Sequence, residues 1–216
     1  MDERTTGIIL RTRPLTETSL IVHWLTADLG RVATVAKGAR RPKSPFRGKL
    51  DVFYHADLSF VRSRRSELHT LREVGLRDTH PALRQDLNRL RQVAYGAALI
   101  EQTTETETPL PGMYELFHQL VAHLSQQPVA IRTVLAFEMK LLDELGLAPE
   151  LSATKLNPAS REVLQQLAAG DWPTLGSLPL SDAQARDIQH FLHGFLMFHL
   201  GRVPRGRPGA LETPVR

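Results

Sequence analysis

Cysteine is missing altogether from this 216-residue chain. Its absence excludes disulfide bonds, zinc sites built on thiolates and cysteine nucleophiles, and it is compatible with a reducing compartment. The first residues, Met1 to Arg4, are mostly charged, and no long apolar run follows, so neither a signal peptide nor a membrane span is predicted. We therefore expect a soluble protein of the cytoplasm.

Short motifs that mark common enzymes are missing as well. The chain has no GxxxxGK followed by Ser or Thr to cradle a phosphate, no GxSxG turn for a nucleophilic serine and no HExxH zinc motif. We therefore predict that the protein is not an enzyme.

Positive charge is distributed unevenly along the chain. The formal net charge is +4, but the first eighty residues hold fifteen Lys or Arg against nine Asp or Glu, while the remainder holds twelve against fourteen. This imbalance gives the N-terminal part an electrostatic attraction for a polyanion that the rest of the chain lacks.

Short segments rich in β-branched and aromatic residues predict strands in the first eighty residues. We place five of them, at residues 7–11, 19–26, 31–36, 52–61 and 68–74. Gly30 suits a tight hairpin turn between the second and third. Five short strands in this length favour a small closed barrel, as in the oligonucleotide/oligosaccharide-binding (OB) fold. Alternation along the second strand places Trp24 in the core rather than on a base-stacking surface.

After residue 80 the apolar residues follow the period of a helix. Helices are predicted from Pro81, around residues 113–124, over 129–145 with Gly146 as the C-terminal cap, over 159–169, and from Ser181 to Gly201. Ser181 and Gln184 have the spacing of a capping box. The predicted organisation is α+β in two parts: an OB barrel at 1–80, an all-helical domain at 81–201 and a flexible basic tail at 202–216.

Residues 37–49, here called the basic segment, carry six cations and no acid. Its Gly and Pro residues predict a loop between strands that projects charge into solvent, where Arg can bind phosphate with two hydrogen bonds and Lys as a point charge. The alternative is a solvated loop that only aids solubility, but further clusters at Arg11 and around residue 63 favour nucleic acid. The predicted contacts are Lys37, Arg40, Arg41, Lys43, Arg47, Lys49, Arg11, Arg62, Arg64 and Arg65.

Two groups of polar residues are considered as metal sites and rejected. His190 and His193 are one helical turn apart, but no third ligand lies near them in the sequence. Glu101, Glu105 and Glu107 alternate with Thr at a helix end, which is typical of a solvated surface rather than a magnesium site.

Four blocks of the chain resemble the start of the bacterial DNA repair protein RecO family. They are GIILR at 7–11, ETSLIV at 17–22, TADLG at 26–30 and AKGARRPKS at 36–44, the last being the most specific. FEMKLLDELG at 137–146 is similar, more diffusely, to the family's central helix.

The resemblance implies an N-terminal OB fold and a helical domain. It also implies binding of single- and double-stranded DNA, strand annealing, and association with RecR and single-stranded DNA-binding protein to help load RecA at the nucleoid. Lys37, Arg40, Arg41 and Lys43 match the family's basic positions and are carried over as DNA contacts.

One departure concerns zinc. Members of the family often carry a four-cysteine zinc module after the segment that matches residues 147–151, whereas here the chain runs directly through residues 152–158 without a cysteine. We therefore predict no metal or other cofactor, and zinc only if a cysteine-bearing segment near 152–157 is missing from this chain.

Other functions stay open at this point. Apolar faces of the helical part could hold a partner's peptide, with Arg132 and Lys140 as charge partners. An OB protein that binds RNA in translation or ribosome assembly is the main alternative, and a metal-dependent nuclease is a third hypothesis.

Overall fold

The computed structural model describes residues 2–212, and its N-terminal part contains five strands. The strands are β1 (Asp2–Pro14), β2 (Leu20–Thr26), β3 (Gly30–Ala36), β4 (His55–Val61) and β5 (Leu68–Asp78). They close into a barrel in the order β1-β2-β3-β5-β4, with β3 and β5 parallel and all other pairs antiparallel. The predicted five-stranded OB-type barrel followed by a helical region is confirmed.

Strand β1 closes the barrel because it is long enough to pair on both sides. Its first half pairs with β4 and its second half with β2. The register with β2 shifts between Ile9 and Arg11, and such a bulge bends a strand locally.

Alternating side chains fill the barrel. Residues of β3 alternate between buried and half-buried positions. Trp24 is fully buried, and its indole Nε1 donates a hydrogen bond of 2.9 Å to Thr34 Oγ1, so its predicted place in the core is confirmed. Strand β4 begins three residues later than expected, because Phe53 has a positive φ of 65° that interrupts extended backbone.

Seven α-helices follow within the described residues. They are α1 (Leu87–Thr103), α2 (Pro111–Gln126), α3 (Ile131–Glu144), α4 (Pro158–Ala169), α5 (Trp172–Leu175), α6 (Asp182–Leu200) and α7 (Arg207–Leu211). The capping box of Ser181 and Gln184 is present, and Gly146 has the left-handed φ of 69° expected after α3. Pro81 begins a 3₁₀ helix, Pro81–Gln85, rather than α1 itself.

The chain divides into two compact units. Residues 2–81 and 104–118 form the first, and residues 82–103 and 119–212 form the second. Residues 104–118, expected in the helical domain, therefore belong with the barrel. The reason is hydrogen bonding to β3: Arg31 Nε donates to Thr104 Oγ1 over 2.8 Å, and the backbone N–H of Glu107 donates to Arg31 O over 2.8 Å.

A flexible tail was expected at 202–216, and the part of it that the structure describes, up to residue 212, contains a short helix. Residues 207–211 form α7, and the Arg207 guanidinium is buried in a pair with Glu138, with 2.7 Å between Nε and Oε1. Residues 213–216, which include Arg216, lie outside the described part. No helix between residues 2 and 212 is both long and apolar enough to cross a membrane.

Candidate nucleic-acid interface

The basic segment joins β3 to the turn before β4 and is folded as a series of tight turns. Backbone N–H groups of Arg41, Ser44, Arg47 and Lys49 each donate to the carbonyl three residues earlier, over 3.0 to 3.2 Å. Gly38 and Gly48 have positive φ values of 66° and 72°, which glycine adopts without steric cost. The segment therefore has a defined backbone, although it is neither helix nor strand.

One aromatic side chain anchors this segment to the barrel. Phe46 is only 7% exposed and belongs to the same hydrophobic cluster as Trp24 and Phe60. Leu50 and Tyr54 pack against that cluster from the following turn. Phe46 was not singled out in the sequence, where it is one apolar residue among charges, and only the three-dimensional packing identifies its role.

Five of the six cations of the basic segment are exposed. They are Lys37, Arg40, Arg41, Lys43 and Arg47. No ion pair joins any of them to a carboxylate of residues 2–212, and the side-chain bonds seen are long ones of 3.4 Å from Arg40 to Thr16 O and from Arg47 to Pro42 O. Lys49 differs, because it is half-buried and its Nζ donates to Val74 O over 3.1 Å.

An open cavity of about 520 Å³ lies beside the basic segment. Its lining combines cations with apolar side chains: Leu20, Ala39, Arg40, Arg41, Pro42, Phe46, Arg47, Gly48, Leu50, Asp51 and Tyr54. Leu20 and Tyr54 were not predicted as site residues. Their proximity follows from barrel closure, which brings the start of β2 near the turn that precedes β4, and no local sequence pattern indicates it.

Arg62 was predicted to contact DNA, and the structure places its guanidinium between two carboxylates. Its Nε and Nη2 lie 2.7 and 2.9 Å from the two carboxylate oxygens of Glu3, and its Nη1 lies 2.5 Å from Glu107 Oε2. The hydrogen bond from Arg62 lowers the pKa of Glu3, as expected for a carboxylate held in a bidentate pair. Two carboxylates already occupy this guanidinium, whereas Arg64 and Arg65 in the next turn are exposed.

Arg11 lies on the outer surface of β1, in register with His23 of β2. Burial, followed by the neighbouring charges of Arg11, Arg13 and Arg31, lowers the pKa of His23 to about 4. This surface of the barrel is therefore electropositive, and a neutral imidazole is the form it favours.

The two predicted charge partners in the second unit are both used within the chain. Lys140 is half-buried, and its Nζ donates to Ala168 O over 2.9 Å near the end of α4, where a cation satisfies a free carbonyl. Desolvation lowers the pKa of Lys140. Arg132 donates from Nη1 to Leu178 O over 2.6 Å and lines a separate cavity of about 540 Å³ with Arg186 and Gln189.

No group of three His, Asp or Glu gathers as a metal site within residues 2–212. His190 and His193 are exposed on α6. At the position where the resemblance suggested a cysteine module, the chain forms a short 3₁₀ helix, Leu151–Ala153, and then α4, whose N-terminus is capped by the side chain of Asn157.

Comparison with known proteins identifies the family. Residues 1–80 match the model described as Recombination protein O N terminal, and residues 84–154 match Recombination protein O C terminal. The DNA repair protein RecO of Alkaliphilus metalliredigens is 30% identical over 93% of this chain and 94% of its own length. The chain belongs to the RecO family.

Other RecO proteins align over a shorter stretch. Those of Rhodopirellula baltica and Bacillus subtilis are 33% and 31% identical over 66% and 68% of this chain. These alignments cover 53% and 56% of the relatives' own lengths. The N-terminal RecO model covers all five strands and the basic segment. The match therefore includes residues 36–44, the block on which the predicted resemblance to this family most depended.

Proposed function

We propose that this RecO-family protein acts in recombinational repair by binding DNA, without catalysing a reaction. It binds single- and double-stranded DNA, promotes annealing of complementary strands, and acts with RecR to help load the recombinase RecA onto strands coated by single-stranded DNA-binding protein. Its place of action is the nucleoid in the cytoplasm. One observation carries the proposal most directly: five exposed cations stand on a segment whose backbone is anchored to the barrel by Phe46.

Anchoring matters because a cation on a fixed backbone loses less conformational freedom on binding than one on a mobile loop. The charges can be set against successive phosphates without reordering the chain. Phosphates carry no sequence information, so this mode of binding suits a protein that must act on any damaged sequence.

Annealing then follows from electrostatics alone. When a basic surface neutralises two complementary strands, their mutual repulsion falls and their local concentration rises. Pairing becomes faster with no covalent step, and no catalytic residue is required.

Reversing charge in the basic segment tests DNA binding. The triple variant Lys37→Glu, Arg40→Glu and Arg41→Glu should lose about 10- to 100-fold in affinity for a single strand at moderate salt, because three phosphate contacts become repulsive. If about six phosphates are contacted, the log–log salt slope of the native protein should be roughly −4 and that of the variant shallower by roughly 2. Fluorescence anisotropy over a salt series measures both.

A matched control is available in the second unit. Arg186, Arg202 and Arg205 are exposed, and reversing all three changes the net charge equally. This control should keep the affinity and slope of the native protein, and both variants should keep its thermal midpoint. Unchanged affinity in the basic-segment variant would refute the proposed interface.

The remaining activities need their own assays. Annealing of complementary oligonucleotides, followed with and without single-stranded DNA-binding protein, measures the proposed reaction. Competition by ribosomal RNA separates this function from an RNA-binding role in translation, since a strong preference for RNA would favour the latter. Intact oligonucleotides after long incubation with magnesium would exclude a nuclease.

A further inference from the structure

We infer that the cavity beside the basic segment holds one unpaired nucleobase, and that this contact makes the protein prefer single strands over duplex. The inference rests on the proposed function and deepens it. It assigns a ligand, a base of single-stranded nucleic acid, to this cavity. The proposed phosphate contacts use the cations of the lining but not its apolar side chains.

The chemistry of the lining separates into two parts. Arg40, Arg41 and Arg47 supply cations, while Leu20, Leu50 and Tyr54 supply apolar and aromatic surface. A nucleotide combines the same two characters, because its phosphate is anionic and its base has two apolar faces. Single-strand binders use this combination of a cationic groove and an aromatic ring on which a base stacks.

The size of the cavity fits the same ligand. At about 520 Å³ it falls within the range of about 300–1,000 Å³ that is usual for small-molecule sites. One base can enter such a space, whereas a base pair in a helix is stacked on both sides and hydrogen-bonded along its edge. A base from a duplex must be unpaired and unstacked first, which costs free energy and favours a strand that is already single.

The cavity also has a firm floor. Leu20, Leu50 and Tyr54 all pack against the hydrophobic cluster of the barrel that includes Phe46. The backbone N–H of Ile9 donates to Tyr54 O over 3.0 Å, which ties the position of Tyr54 to β1. An aromatic ring held in place in this way can receive a base at a low entropic cost.

Asp51 gives the lining a hydrogen-bond acceptor. It is the acidic residue that follows the cations, and it is exposed at the cavity. One carboxylate oxygen accepts the N–H of Val52 over 2.8 Å. A carboxylate can accept hydrogen bonds from the exocyclic amine of cytosine.

Strands that keep every phosphate but lack bases provide the test. The full-length protein is titrated with a labelled cytidine 15-mer and with the same strand carrying abasic residues throughout, over a salt series. We expect roughly 5- to 10-fold weaker binding of the abasic strand, with an unchanged salt slope, because stacking and not phosphate contact is removed. Equal affinity for the two strands overturns the inference.

Variants of Tyr54 locate the effect. Tyr54→Leu removes the aromatic ring and should bring the affinities for intact and abasic strands together, whereas Tyr54→Phe keeps the ring and should retain the difference. Phe198→Leu, which removes an exposed aromatic of the second unit, serves as the control and should behave as the native protein. If Tyr54→Leu folds with a native midpoint and still discriminates the strands, the cavity is not the base site.

The two proposals fail separately. If charge reversal in the basic segment leaves DNA binding intact, the proposed interface is wrong. If charge reversal abolishes binding while the native protein binds intact and abasic strands equally, the interface stands and the base site does not. The comparison of native protein on two strands needs no variant, so a folding defect in Tyr54→Leu leaves the inference testable.

Discussion

The buried pair of Glu138 and Arg207 shows most directly how one residue can decide local structure. Glu138 is fully buried in α3, and both of its carboxylate oxygens accept hydrogen bonds from Arg207, over 2.7 and 2.9 Å. Tyr95 OH adds a third bond of 2.5 Å to Oε1. Burial, followed by the charge of Glu138, raises the pKa of Tyr95 and keeps its hydroxyl a donor. A buried carboxylate without a cation is energetically costly, so folding favours the arrangement in which Arg207 reaches Glu138. Because Arg207 is the first residue of α7, this pair fixes the position of that helix.

Removing only the cation of this pair should lower the free energy of unfolding more than replacing both partners. Arg207→Met leaves Glu138 buried without its cation and should lower the free energy of unfolding by about 3–5 kcal/mol. Adding Glu138→Gln, which keeps a partner for Tyr95, should restore part of that loss. Urea denaturation of both variants measures the difference. A double variant less stable than the single one would contradict this account.

At the scale of elements, the hairpin between β2 and β3 depends on what packs against its turn. Gly30 has a φ of 69°, and Thr26 Oγ1 donates to its carbonyl over 2.7 Å. A Cβ placed on Gly30 would lie 2.0 Å from Thr108 O. The glycine is therefore needed twice, once for the backbone conformation and once for the close approach of the segment at 104–108.

Gly48 offers a matched control for these two requirements. Its φ is 72°, but a Cβ there would meet nothing within 4 Å. Gly48→Ala should cost about 1 kcal/mol through the left-handed conformation alone, whereas Gly30→Ala should cost about 3 kcal/mol or more because backbone must also move. Thermal and urea unfolding compare the two. Equal losses in the free energy of unfolding would mean that the segment at 104–108 can move away from residue 30 without an energetic cost.

At the scale of the whole molecule, the barrel unit is discontinuous in sequence. Residues 104–118 supply Glu107 to Arg62, Tyr114 to His55 over 3.0 Å between OH and Nε2, and Phe117 to Phe53 at 6.5 Å between ring centroids. The family boundary near residue 80 therefore separates the strands from side chains that complete their packing.

Dividing the chain at that boundary tests how much the stability of the barrel depends on residues 104–118. We expect a fragment of residues 1–80 to melt at a lower temperature than the full-length chain, and a synthetic peptide of residues 104–118 to raise its midpoint when added in excess. The same peptide with Glu107→Ala and Phe117→Ala serves as the control and should have a smaller effect. Identical melting of the fragment with and without the native peptide would show that these contacts contribute little.

Local patterns in the sequence were enough to predict the strands, most of the helices, the capping box at Ser181 and the cationic character of residues 37–49. Each of these depends on neighbours a few residues apart, through side-chain alternation, helical spacing or glycine conformation. The resemblance to the RecO family rested on the same short range and is confirmed by the comparisons.

Tertiary structure alone decided which charges face solvent and which are paired. Arg62 and Arg207 look like other arginines in the sequence, yet the first is held by Glu3 and Glu107 and the second is buried against Glu138. Phe46 and Tyr54 likewise join the candidate site only through barrel closure. The physical reason is that ion pairing and burial depend on which distant segments come into contact on folding. Residue type and local spacing do not determine those contacts.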